Sequence, residues 1–141
     1  MDQASFDGCF GCGPDNKHGL KATFRNLENG DVEGIFIPEE NHCGYQDAVH
    51  IGPIVGFISE TLGRLSFQKN LYYLTQHLTV NFKCSVSPGV KLRSFATLKK
   101  QTGKHFTGEA KVFGPDGELI ATGEGRFHYM DTARVKKVVS S

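Results

Sequence analysis

The sequence predicts an α+β domain in which a curved antiparallel sheet wraps one long hydrophobic helix. Three observations carry this. One segment, beginning near Gly52, repeats apolar residues at spacings of three and four. The other ordered segments alternate apolar and polar residues with a period of two. Turn signals separate them at short intervals. One helix beside several strands is an α+β layer arrangement.

The elements follow in chain order. The opening, Cys9-Phe10-Gly11-Cys12-Gly13-Pro14-Asp15-Asn16, is rich in turn formers. A strand is expected over Leu20–Leu27, then a hairpin turn at Glu28-Asn29-Gly30-Asp31, where Asn-Gly is the signal. A second strand, Val32–Ile37, stops at Pro38, and a loop runs from Glu39 to Val49. The helical stripe is Ile51, Ile54, Val55, Ile58, Leu62 and Leu65, and Pro53 suits a first helical turn. Gly56 and Gly63 lower helix propensity there, which predicts close packing against that face. The helix is expected to end near Asn70. It carries few polar residues, so it needs wide cover.

Next comes a long strand. Leu74, Gln76, Leu78, Val80, Phe82, Cys84 and Val86 share one parity and Thr75, His77, Thr79, Asn81 and Lys83 the other, predicting one wet face. Pro88-Gly89 turns the chain. Leu92, Ser94, Ala96 and Leu98 form the next inward set, and Gln101-Thr102-Gly103 turns it again. Phe106–Phe113 leads into Gly114-Pro115-Asp116-Gly117, and a last strand, Glu118–Met130, sets Leu119, Ala121, Phe127 and Tyr129 on one side.

A chain of 141 residues with 38% hydrophobic and 22% charged residues fits one globular domain, 1–141, with 131–141 as a loosely held tail. The formal net charge is +1, so no global field draws it to nucleic acid or membrane, and aromatics do not interleave with a basic face. No apolar run approaches the roughly 20 residues of a membrane span. The start, Met1–Asp7, is acidic and lacks the apolar stretch of a signal peptide, so the expectation is cytoplasmic, with Cys9, Cys12, Cys43 and Cys84 as free thiols. Cys9 and Cys12 have the spacing of a zinc-ligand pair. A closed site needs two more ligands, and only scattered candidates such as His42 and Cys43 exist. The pair is therefore read as packing of the N-terminal turn, with no metal.

Two segments carry a family resemblance. One is Cys9-Phe10-Gly11-Cys12-Gly13-Pro14-Asp15-Asn16-Lys17-His18-Gly19-Leu20. The other is His42-Cys43-Gly44-Tyr45-Gln46-Asp47-Ala48-Val49-His50-Ile51-Gly52, with Ser59-Glu60-Thr61-Leu62-Gly63 on the helix behind it. Together they resemble the hotdog-fold acyl-CoA thioesterases of the PaaI-like group, and the strand–helix–strand order matches over nearly the whole chain. The resemblance implies a hotdog fold and hydrolysis of an acyl-CoA or acyl-carrier thioester. Coenzyme A enters as part of the substrate and no other cofactor is implied. It also implies a homodimer, with pairing of dimers into a tetramer left open.

In that family the loop before the helix reads His-Gly-Gly. A backbone N–H beside the His polarises the thioester carbonyl, helped by the positive end of the helix. A carboxylate nine residues after the His acts as base or nucleophile, across a dimer interface. Here His50 and Gly52 fit, whereas Ile51 replaces the first Gly and keeps only its N–H. Nine residues after His50 stands Ser59, and the carboxylate, Glu60, comes one residue later, about 100° further round the helix.

The resemblance thus assigns catalysis to Glu60, Ser59 and His50 and substrate binding to the N–H groups of Ile51 and Gly52. Asp47 is a displaced acid or a turn residue. Glu60 has a plainer reading as an i,i+4 partner of Arg64, Ser59 as a small space-filler, and His50 as a helix cap. Lys99, Lys100 and Lys104, near His105, are a solvated hairpin end or a dock for coenzyme A phosphates. Two other functions stay open: a hotdog module that binds an acyl thioester without turnover, and a pathway-specific hotdog enzyme whose acid is Asp47 or comes from the second subunit.

Overall fold

In the computed structural model, which describes residues 7–66 and 71–131, period-two segments form strands and the three–four stripe forms the helix. The order is β1 (Thr23–Asn26), β2 (Val32–Phe36), a small hairpin of β3 (Cys43–Tyr45) and β4 (Ala48–Val49), α1 (Ile51–Gly63), then β5 (Leu71–Phe82), β6 (Leu92–Thr102), β7 (His105–Phe113) and β8 (Leu119–Asp131). Six strands make one sheet in the order β1-β2-β6-β7-β8-β5, antiparallel throughout. The predicted β1–β2 turn is present, with Gly30 at φ 92°, a conformation that favours glycine. The β3–β4 hairpin lies within Glu39–Val49, for which the sequence predicts a loop.

The sheet wraps α1. Ile54, Phe57, Ile58 and Leu62 are buried on the helix, against Leu92, Ala96, Phe106, Ala110, Val112 and Phe127 from the strands. Phe106 and Phe127 stack at 4.9 Å, and Phe36 meets Phe57 at 5.4 Å. The close approach of helix to sheet is set by strand glycines. A Cβ on Gly123 would stand 2.6 Å from Ile58 Cγ2, and one on Gly108 2.5 Å from Leu65 Cδ1. Of the two glycines expected to pack closely, Gly63 lies hard against the Tyr73 ring, while a Cβ on Gly56 would make only ordinary contacts. Thr61, buried mid-helix, donates to the Phe57 carbonyl and shares a 2.7 Å bond with the Ser94 hydroxyl, so neither polar group is left unpaired.

Two predictions need correcting. The α-helix ends at Gly63, and Arg64–Ser66 tighten into a 3₁₀ turn. The expected end near Asn70 falls outside the described residues, as do the tail beyond Asp131 and the first six residues. Second, β5 does not keep one wet face. A bulge lies between Thr75, opposite Phe127, and His77, opposite Arg126, so Gln76 is an extra residue. An extra residue exchanges the two faces. Before it the odd position Tyr73 packs on the core; after it the even positions Leu78 and Val80 do. Leu74, predicted inward, is therefore 47% exposed. A similar shift between Leu98 and Lys100 leaves Leu98 exposed at the edge of the predicted inward set.

Candidate active site

The start of α1 is built by four hydrogen bonds of His42 and His50. His42 is buried. Its Nδ1 accepts from the Glu39 N–H at 2.9 Å, and its Nε2 meets the Gly19 carbonyl at 3.2 Å, which pins the pre-helix loop to the N-terminal loop. Both ring nitrogens are thus committed to structure. The His50 N–H donates to the His42 carbonyl at 2.8 Å. His50 then caps the helix, with Nδ1 accepting from the Gly52 N–H at 2.8 Å. The two predicted carbonyl-binding groups are therefore not equivalent. The Gly52 N–H is held by His50. The Ile51 N–H opens the helix, where no intrahelical acceptor exists, and the Ile51 side chain is 56% exposed. Asp47 is an exposed residue of the β3–β4 turn at φ 60°, which is the turn reading of this position.

Ser59 and Glu60 sit on the same helix but face different neighbours. Ser59 Oγ lies 3.4 Å from Thr75 Oγ1 on β5, the edge strand. Glu60 lies under the N-terminal loop, and a Cβ on Gly11 would fall 2.4 Å from its Cδ. The sulfurs of Cys9 and Cys12 and a Glu60 carboxylate oxygen all lie within 4.8 Å of one another. Arg64 is one turn on, its guanidinium nitrogen 4.0 Å from Glu60 Oε2, so the predicted i,i+4 pair exists but is long. The Arg64 side chain is 5% exposed against 25% for Glu60, and its guanidinium rests 4.1 Å over the Phe24 ring.

Burial governs the protonation of this group of side chains. It pushes the Glu60 carboxyl above its ordinary value, with the Arg64 charge opposing. Burial, with a hydrogen bond to Cys9, pushes the Cys12 thiol up to about 11. Burial and then the Glu60 charge raise the Tyr73 hydroxyl. A carboxyl whose pKa is raised holds its proton more readily, which suits proton transfer. Ile51 and Glu60 are nine residues apart, about 14 Å along the helix axis. Within one chain the Ile51 N–H and the Glu60 carboxyl do not meet.

The lysines divide. Lys99 pairs with Glu109 at 3.2 Å. Lys100 lines a cleft of about 370 Å³ with Thr102, His105, Phe106, Thr107 and Arg126. Lys104 is exposed in the β6–β7 turn, and its carbonyl accepts from the Tyr129 N–H at 2.8 Å. The His105 and His128 rings lie 4.5 Å apart at a tilt of 38°, and burial followed by the His128 and Arg126 charges lowers the His105 pKa. The sequence reading missed how Cys9, Cys12 and Tyr73 surround Glu60. A signal was available, since Gly11 and Gly13 flank Cys12, the positions that let such a loop settle onto a helix.

No family model matches the chain, and no curated protein matches it by sequence. Solved structures do. The E. coli PaaI protein from the phenylacetic acid degradation operon has a TM-score of 0.71 at 13% identity, covering 79% of this chain and 80% of that one. The thioesterase HI1161 from Haemophilus influenzae reaches 0.75 at 11% identity, covering 89% of this chain and 90% of that one. This chain has the hotdog fold. A third structure, a hypothetical thioesterase from Streptococcus pneumoniae with coenzyme A, gives 0.70 at 11% identity over 78% of this chain and 86% of that one.

Proposed function

We propose that the chain is a cytoplasmic homodimeric hydrolase of acyl-CoA or acyl-carrier thioesters. The observation that carries this reading is the half-buried Glu60 carboxyl, raised by burial, on a helix whose first N–H is free of intrahelical partners. The Ile51 N–H at the positive helix end polarises the thioester carbonyl. Glu60 of a second copy takes a proton from water as the water oxygen bonds to the carbonyl carbon. The tetrahedral intermediate then expels the thiolate, which receives the proton from Glu60. The products are a carboxylic acid and the free thiol. The second copy is required because the two groups are about 14 Å apart in one chain. The outer edge of β5, unpaired among the described residues, offers a place for it to pair.

Ser59, beside Thr75, orients the water, and the Lys100–Arg126 cleft receives the phosphates of coenzyme A. The coenzyme A found with the S. pneumoniae hotdog protein is consistent with such a substrate. The rival reading, binding without turnover, draws on the hold of His50 on the Gly52 N–H and on Ser59 at the family's acid position. Asp47, exposed in a turn, is the weaker candidate for a relocated acid.

The test is thiol release from short, aromatic and long acyl-CoAs by wild type, Glu60→Gln and Ser59→Asp. Turnover that collapses in Glu60→Gln supports the hydrolase. An inactive wild type that gains turnover in Ser59→Asp supports the binding module.

A further inference from the structure

The environment of Glu60 points to a second use of the same loop. We propose that Cys9, Cys12 and Glu60 form a binding site for a thiophilic divalent cation of the Zn²⁺ class, held by two sulfurs and one carboxylate oxygen. Three independent features support it.

The first is geometry. The Gly13 N–H donates to the Cys9 carbonyl at 2.9 Å, closing a turn that brings both sulfurs to one side. That turn has no room for a side chain at Gly13, where a Cβ would fall 2.4 Å from the Asp7 carbonyl oxygen and the Cys9 nitrogen. Gly11, between the cysteines, lets the turn press onto Glu60. Zn–S bonds of about 2.3 Å and Zn–O bonds of about 2.0–2.2 Å give a tetrahedron with edges of roughly 3.5–3.8 Å. The three donors, all within 4.8 Å of one another, reach that with small side-chain rotations.

The second is charge. Arg64 is a buried cation whose ion partner, Glu60, is 4.0 Å away and whose Nε has no partner among the described residues. A dication with two thiolates and one carboxylate carries a net charge of −1, which balances the guanidinium. Sulfur binds such an ion as thiolate, so uptake of the metal releases protons.

The third is the donor set. Two soft sulfurs on a tight Cys-x-x-Cys turn select Zn²⁺ or Cd²⁺ over Mg²⁺ or Ca²⁺. Among the described residues no other His, Cys, Asp or Glu joins these three, so one coordination position is left for water. His42, the nearest thing to a ligand in the sequence reading, has both nitrogens engaged elsewhere.

A bound ion claims the carboxylate that the proposed hydrolysis needs. Metal would then hold the enzyme off, which rests on the hydrolase reading, whereas binding itself does not. The experiment uses the full chain, kept reduced and stripped with chelator. It is titrated with Zn²⁺ against a chromophoric chelator, and with Co²⁺ by absorbance. The expected result is one equivalent bound per chain and a thiolate-to-cobalt charge-transfer band. The band is lost in Cys9→Ser and Cys12→Ser and kept in Cys84→Ser, whose sulfur is exposed near Leu119. Glu60→Gln is expected to weaken Zn²⁺ binding by about tenfold or more. Circular dichroism checks that each variant is folded; if the cysteine variants are not, stoichiometry and the band in the intact chain decide. An intact chain that takes up no stoichiometric Zn²⁺, or a band that survives in folded Cys12→Ser, overturns the site. Stoichiometric Zn²⁺ without any effect on thiol release leaves the site standing and counts against Glu60 as the base.

Discussion

Replacing His50 with Ala separates the cap of α1 from the chemistry at its start. The ring nitrogen accepts from the Gly52 N–H at 2.8 Å, the part an N-cap side-chain oxygen usually plays. Removing such a cap costs about 0.5–2 kcal/mol. This cap is exposed, so water can reach the freed N–H, and the loss belongs at the lower end, about 0.5–1 kcal/mol. For a chain of this size that is a fall in Tm of about 2–4 °C. His50→Ser restores an acceptor and is expected to recover most of it. The two variants also differ at the site. In the Ala variant the Gly52 N–H is free to join that of Ile51 at a thioester oxygen, so kcat is expected to rise relative to the Ser variant. Urea denaturation and thiol-release kinetics read the two effects separately. A His50→Ala chain as stable as wild type would refute the capping account. Loss of kcat in both variants would show that the ring itself handles a proton or touches substrate.

Two more outcomes follow from the geometry. Burial lifts the Glu60 pKa above its ordinary 4.5, so the folded chain binds this proton more tightly than the unfolded chain. In the window from 4.5 up to the raised value, stability therefore falls as pH rises, while base-dependent kcat/KM rises. Arg64→Met removes the charge that opposes the shift and should move the acid limb of the rate profile upward; a limb that stays put would disconnect Glu60 from the rate. Phe127 is fully buried between Phe106 and Tyr73, so Phe127→Ala should cost about 3–5 kcal/mol in urea unfolding, and a cost below about 1 kcal/mol would contradict this packing.

Much of the architecture was legible because period and turn chemistry are local. The stripe from Ile51 to Leu62 became the helix and Asn29-Gly30 the first hairpin. The helix end was not legible: Leu65 continues the stripe in sequence, but the chain tightens to 3₁₀ at Arg64, with the Tyr73 ring pressed on Gly63. That contact comes from a strand ten residues away. The site was legible at His50, whose cap is a short-range contact. It was illegible at Glu60, because Cys9 and Cys12 reach the helix through tertiary packing and Cys-x-x-Cys spacing alone does not name a third partner. Burial of Arg64 under Phe24 was equally non-local.

The extra residue in β5 makes that strand behave like a sentence with a shifted reading frame. Upstream of Gln76 the core reads odd positions, and downstream it reads even ones. A substitution at Gln76 changes one letter, whereas its deletion would re-phase one half against the other. Either Tyr73 would leave Gly63, or Leu78 and Val80 would turn from the core to water. The tolerance of this edge to length change is therefore far lower than its exposure suggests, and relatives that gain or lose a residue here must do so in pairs or re-pattern half the strand.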